Sequence, residues 1–363
     1  MSGDLDESMM RRALELAERG RYSSSPNPMV GAVVVRRGRV AGEGFHRRAG
    51  ERHAEIAALA RAGRAARGAT LYVTLEPCAH TGRTGPCAAA IQAAGIARVV
   101  AARRDPNPLV SGRGFRALRA AGIDVETGTL GAASAAQNER FDLWVKERRP
   151  FVLAKVAATL DGRIADARGK SRWISGAAAR RRSLAWREEF DAILVGARTA
   201  AFDGSLLTRR LGWNRATPQR RVVLDGDFRV RESLPLFGAG AGVEVWTASS
   251  GGAAKERRLA ARGVRVVRFP APGGRVDLRA ALARLGAEGV TGLIVEGGSG
   301  TLAAFHEADL IDRWAVIVAP KLLGGDAFPI LAGAGLPLER ARKLRGLFAE
   351  PLGGDLLLSA RTR

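Results

Sequence analysis

His53-Ala54-Glu55, Pro77-Cys78 and Pro86-Cys87 decide how the first half of this chain is read. A helix is expected to begin near His53 and run through Ile56, Leu59 and Ala60 to Gly63, a residue suited to stopping it. Residues 70–74 read as a strand, and the segment after Pro86 as a helix ending at Gly95. Working outward, residues 8–19 form an amphipathic helix with Met9, Ala13, Leu16 and Ala17 on one side. A strand at 30–35 pairs through Arg37-Gly38 with 39–44 as a hairpin. Downstream lie strand 97–102, helix 114–121 and strand 123–126. Strands alternating with helices predict a layered α/β domain with a largely parallel sheet.

The only two cysteines of the chain fall in this stretch. Thiolate sulfur and imidazole nitrogen are ligands that zinc prefers, and three of them leave one position for water. Helix positions two apart point about 200° from each other, so His53 and Glu55 reach a common metal only off the helix N-terminus. Cys87 follows a helix-opening proline, where the dipole favours a thiolate. Bound zinc brings the pKa of water down to about 7. Glu55 then serves as the non-ligating acid/base of a hydrolytic deaminase. The competing reading is a closed structural zinc with His80 or His46 as fourth ligand.

The chain has 363 residues, enough for two ordinary domains, and 46% of them are apolar. No run reaches the roughly 18 apolar residues of a membrane span, and the acidic start lacks a signal core. The expected location is the cytoplasm. A net charge of +22 invites a nucleic-acid reading, but only six of the basic residues are lysine, they are dispersed, and few aromatics interleave with them. Arginine forks suit phosphorylated small molecules better.

Residues 142–150, charged and ending in Arg148-Arg149-Pro150, break the pattern and mark a boundary. A second α/β domain follows, with strands at 151–157, 192–195, 221–224, 243–246, 264–268, 292–295 and 314–318. Helices at 176–188, 253–262, 278–286 and 300–307 lie between them. No Gly-x-Gly-x-x-Gly opens a helix after its first strand, so an ordinary dinucleotide-binding domain is not supported. The run from Leu293 to Thr301 is a strand ending in a glycine turn that feeds a helix. It is either a phosphate-binding helix start or a tight strand-to-helix turn.

These residues resemble a known family. Pro26-Asn27-Pro28-Met29-Val30-Gly31, Gly42-Glu43-Gly44-Phe45-His46, Ala49-Gly50-Glu51 and the run from Thr74 to Cys87 are similar to the bifunctional riboflavin-biosynthesis deaminase/reductase, as is Asp105-Pro106-Asn107-Pro108. Eight residues separate the cysteines, where editing deaminases have two. Lys155 to Arg163, Ser171 to Ser175 and Ala319 to Gly324 resemble the reductase half, so the likeness covers nearly the whole chain.

The resemblance implies a cytidine-deaminase-like three-layer α/β domain over 1–147 and a dihydrofolate-reductase-like α/β domain over 148–363. It implies one zinc on His53, Cys78 and Cys87, catalysis by Glu55, and deamination of 2,5-diamino-6-ribosylamino-4(3H)-pyrimidinone 5′-phosphate. Asn27, His46, Glu51, His80, Arg83, Asp105 and Asn107 match the positions that hold this phosphorylated pyrimidine. NADPH would then reduce the ribosyl group to ribityl. Ala157, Trp173, Thr199, Asp203, Gly298, Ser299, Gly300, Thr301 and Leu302 match the cofactor positions, and Ser171, Arg187, Leu207, Arg210 and Glu296 those of the reductase substrate. No general acid for reduction stands out; Lys155 is one candidate.

The chain departs from the family pattern at Arg52, commonly proline, and at Phe202-Asp203-Gly204-Ser205, commonly Ala-Asp-Asp-Pro. The second departure leaves open a reductase-like domain that has lost activity. A nucleic-acid-editing deaminase is a further alternative. Neither membrane nor nucleic acid is an expected partner, and the oligomeric state, a homo-oligomer included, is left open.

Overall fold

Gly31–Arg36 alternates its side chains between two buried faces, and this settles the layering of the first half. Ala32 and Val34 pack on one side, Val33 and Val35 on the other. The computed structural model describes residues 2–79, 85–108, 110–214, 218–238 and 242–362. It divides into two compact units at Arg148/Arg149.

In the first unit, helix α1 (Ser2–Glu18) precedes strands β1 (Gly31–Arg36) and β2 (Arg39–Phe45), then helix α2 (Ala54–Ala62) and strand β3 (Thr70–Val73). Helix α3 (Cys87–Ala93), strand β4 (Arg98–Ala101), helix α4 (Arg113–Ala120), strand β5 (Asp124–Thr127) and helices α5 (Gly131–Gln137) and α6 (Glu139–Glu147) follow. The sheet order is β2-β1-β3-β4-β5. β1 is antiparallel to both β2 and β3, and only β3, β4 and β5 run parallel. The sheet is therefore mixed rather than largely parallel, because a hairpin supplies its first two strands.

One face of this sheet is covered by α2, α3 and α4 through Ala58, Ile91, Phe115 and Leu118. Met10, Ala13 and Leu16 of α1 cover the other. Full burial of a side chain such as Ile91 contributes about 1.5–3 kcal/mol. Helix α2 lies so close to β2 that a Cβ on Gly44 would come within 2.3 Å of the Ala54 carbonyl oxygen. That contact fixes the helix start beside His53. Within the boundary stretch, residues 142–147 end α6, where Asp142 takes two hydrogen bonds from Arg103 at 2.7 and 2.8 Å.

The second unit runs β6 (Phe151–Thr159), β7 (Arg163–Ala165), α7 (Ala177–Glu189), β8 (Ala192–Gly196), α8 (Ala197–Asp203), β9 (Arg220–Leu224), β10 (Val243–Thr247) and α9 (Ala253–Ala260). It continues through β11 (Val264–Arg268), β12 (Pro270–Ala271), β13 (Arg275–Val276), α10 (Leu278–Ala287), β14 (Gly292–Val295) and α11 (Ser299–Glu307). β15 (Arg313–Ala319), β16 (Phe328–Pro329), β17 (Arg345–Leu352) and β18 (Asp355–Arg361) complete it.

Nine strands form one sheet in the order β11-β10-β9-β8-β14-β6-β15-β18-β17, parallel as far as β15 and antiparallel at the final hairpin. Val152, Leu194, Val222 and Leu293 of the sheet pack with Leu282, Leu285 and Phe305 of α10 and α11. Asp277 caps α10, accepting from the backbone N–H groups of Arg279 and Ala280 at 3.0 Å. In such parallel sheets, ligands gather beyond the carboxyl ends of the strands. Among the described residues no helix is long and apolar enough to cross a membrane.

Candidate active sites

His53 is the N-cap of α2, and Cys87 opens α3. The two helix starts meet beyond β3, where Cys78 follows the strand. The His53 Nδ1 atom lies 3.1 Å from Cys87 Sγ and 3.7 Å from Cys78 Sγ. All three donor atoms lie within 4.8 Å of one another. One imidazole and two sulfurs converging in this way fit zinc and leave room for a water ligand. The Cys87 backbone N–H donates to Cys78 Sγ at 3.4 Å. The helix start expected to favour a Cys87 thiolate thus serves Cys78. The Cys87 thiol, then His53, hold Cys78 well below the usual thiol range, whereas the adjacent Cys78 sulfur pushes Cys87 up.

Glu55 is buried, at 4% accessibility in the first turn of α2, and burial raises its carboxyl above the usual range. His46 is buried beside it in the chain's metal corner, its ring 5.4 Å edge-on from that of His53. Its Nδ1 lies 3.2 Å from the Arg52 carbonyl oxygen, which only accepts, so Nδ1 carries the proton. Nε2 then accepts from the Asn27 amide at 3.0 Å. Burial lowers the pKa of His46, which keeps this neutral tautomer. Arg52, the departure from proline, acts here through its backbone.

The Asp105 loop is tied to the same corner by Glu76. This buried carboxylate accepts from the backbone N–H groups of Asp105, Gly112 and Gly114 at 3.2, 2.9 and 2.9 Å. Sequence reading passed over Glu76, although its place in the run before Cys78 marks it. Asp105 takes the Asn107 N–H at 2.8 Å, and burial pushes its carboxyl up to about 6. Glu51 is exposed at the approach to α2. His80 and Arg83 lie outside the described residues.

The second unit holds a cleft of about 1430 Å³. Ala157, Trp173, Thr199, Asp203 and the turn from Gly298 to Leu302 all line it, as do Ser171, Arg187, Arg210 and Glu296. Leu207 does not: it is fully buried away from the wall. A Cβ on Gly298 would stand 2.6 Å from Thr199 Oγ1, so only glycine fits between the α11 start and α8. No side chain caps α11, and its first-turn N–H groups remain for an anion.

Arg187 is not a free phosphate fork. Its Nε and Nη2 donate to Glu296 at 2.8 and 2.6 Å in a partly buried ion pair. Burial alone would push the Glu296 carboxyl up; Arg187, aided by Lys155, outweighs it and holds the group below its usual range. Lys155, on the same wall, is pushed down by burial. Arg210 is exposed and forms no ion pair among the described residues. The Gly204 departure has a local reason: it caps α8 at φ +54°, a conformation glycine adopts without strain.

Residues 4–103 match the cytidine and deoxycytidylate deaminase zinc-binding region, and residues 150–358 match the RibD C-terminal domain. Riboflavin biosynthesis protein RibD of Escherichia coli is 41% identical over 335 residues, 89% of each chain. That of Aquifex aeolicus is 38% identical over 99% of each. The solved structure of Acinetobacter baumannii RibD superposes with a TM-score of 0.90 at 36% identity, covering 99% of both chains. The Thermotoga maritima diaminohydroxyphosphoribosylaminopyrimidine deaminase/5-amino-6-(5-phosphoribosylamino)uracil reductase gives 0.86 at 34% identity and the same coverage. Likeness at this level over the whole length, with a zinc-type donor set in one unit and a lined cleft in the other, makes the chain a member of the RibD family of bifunctional deaminase/reductases of riboflavin biosynthesis.

Proposed function

We propose that residues 1–147 deaminate 2,5-diamino-6-ribosylamino-4(3H)-pyrimidinone 5′-phosphate at its 2-amino group. Residues 148–363 then reduce the ribosyl chain of the product to ribityl. The observation that carries this reading is the convergence of His53, Cys78 and Cys87 within 4.8 Å beside a buried Glu55. When bound, zinc lowers the pKa of a water to about 7 and NADPH brings the hydride.

The chain's own residues do the rest. Glu55, its carboxyl raised by burial, would take one proton from the attacking water and pass it to the ring nitrogen, then take the second from the resulting hydroxyl and pass it to the leaving amine. Neutral His46, fixed by Asn27 and the Arg52 carbonyl, holds the pyrimidine with Glu51, His80, Arg83, Asp105 and Asn107. In the cleft, Ala157, Trp173, Thr199, Asp203 and the 298–302 turn hold the cofactor. Ser171, Arg210 and the Arg187–Glu296 pair orient the substrate, and Lys155 is placed to hold or release the proton that follows the hydride. We place the protein in the cytoplasm, with small phosphorylated molecules and not nucleic acid as its ligands.

The test is an assay of zinc-loaded protein that follows ammonia release and NADPH oxidation separately on this substrate. Both signals are expected. Ammonia without NADPH loss would leave a deaminase with an inactive second unit, and no ammonia would sink the deaminase reading.

A further inference from the structure

Two large aromatic side chains stand exposed on the cleft wall of the second unit: Trp173 is 63% accessible and Phe202 59%. Bare apolar surface lining a cleft marks recognition rather than core. Neither ring is loose. Ser171 Oγ donates to Asp203 Oδ1 at 3.2 Å, and Arg172 Nη2 donates to the Asp203 carbonyl oxygen. These bonds lace the segment carrying Trp173 to the end of α8, where Phe202 sits. The Arg180 guanidinium lies 4.6 Å over the Trp173 ring. The Phe202 ring is backed by Gly169, where a Cβ would come within 3.1 Å of two ring atoms and where φ is +82°. A ring backed by backbone on one side and open on the other is a platform.

We propose that Phe202 is an affinity-determining contact for the nicotinamide cofactor, its ring packing against a planar ring of that molecule. The inference rests on the reading of this cleft as the NADPH site. Cofactor and pyrimidine substrate both carry planar rings; Phe202 adjoins Asp203 and lines the cleft with Trp173 and Thr199, the residues proposed to hold the cofactor, and that position assigns its face to the cofactor. The Arg187–Glu296 pair and Lys155 instead suit the hydroxyl groups of the substrate.

The test uses full-length Phe202→Ala and Phe202→Tyr, NADPH oxidation with pre-deaminated substrate, and direct NADPH binding by calorimetry. Phe202→Ala is expected to raise both KM and Kd for NADPH about three- to tenfold, the worth of one aromatic contact. Its kcat should fall by less, and Phe202→Tyr should restore parental affinity. Unchanged KM and Kd in Phe202→Ala, with a parent that binds and oxidises NADPH, would overturn this inference alone. A parent that binds no NADPH would overturn the reading of the cleft, and the inference with it.

Discussion

The deaminase corner and the reductase cleft differ in how much chain each requires. The metal donors and Glu55 lie between positions 53 and 87, on the first turns of two helices and the end of one strand. The cleft draws on residues from Lys155 to Ala332, contributed by strand ends, α7, α8, α11 and the loops between them. A site made of few groups at fixed spacing fails when one is removed. A wall assembled from many elements loses function by degrees, except where a buried charge is left alone.

The largest expected effect tests that contrast. Cys87→Ala, or stripping zinc with a chelator, should abolish ammonia release while NADPH oxidation of pre-deaminated substrate continues. Loss of both activities would mean the two sites are not independent. Next is Glu296→Gln, which leaves Arg187 and Lys155 buried without their counter-charge. Breaking such a pair costs about 3–5 kcal/mol, so chemical unfolding should show a destabilised second unit. NADPH oxidation should fall, with ammonia release retained.

Two buried carboxyls, one in each unit, should answer pH in opposite senses. Burial pushes Asp105 up to about 6, from an ordinary 3.8. The folded first unit then keeps a proton that the unfolded chain has released, so its stability falls as pH rises between these values. Asp105→Asn should flatten that decline in thermal melts. Glu244 in the second unit is also buried, which alone would raise its carboxyl. Hydrogen bonds from Arg284 and Trp246 and the charges of Arg284 and Arg220 outweigh burial and hold it below 4.5. Its stabilisation is present above that pH and is lost as pH falls. Glu244→Gln should remove this acid sensitivity. The smallest effect is Gly204→Ala: a side chain at φ +54° should cost about 1 kcal/mol of stability with both activities kept.

Legibility followed the same divide. The zinc corner was readable because its ligands are rare residue types at helix starts, and Gly63, Pro86 and the strand between them punctuate it locally. The carboxyl-end hairpin was missed: nearly every residue of β17 is exposed, so it carries no apolar alternation. Its signal was Gly353-Gly354, a two-residue turn of the kind that joins antiparallel strands. Helix α6 is not legible because Asp142 and its neighbours look like a charge run at the boundary; the partner that makes Asp142 structural, Arg103, is 39 residues away. The pairing of Arg187 is hidden for the same reason, since Glu296 lies 109 residues on. Long-range pairing of charges is what the local pattern does not carry.

Glu55→Gln tests the central claim most directly, because it leaves the zinc donors and the cleft in place and removes only the proton carrier. General acid–base catalysis contributes about 10²–10⁴-fold. The variant should therefore keep parental zinc content and parental NADPH oxidation of pre-deaminated substrate, and lose ammonia release by at least about 10²-fold. Zinc-replete Glu55→Gln protein that still releases ammonia at the parental rate would contradict the account.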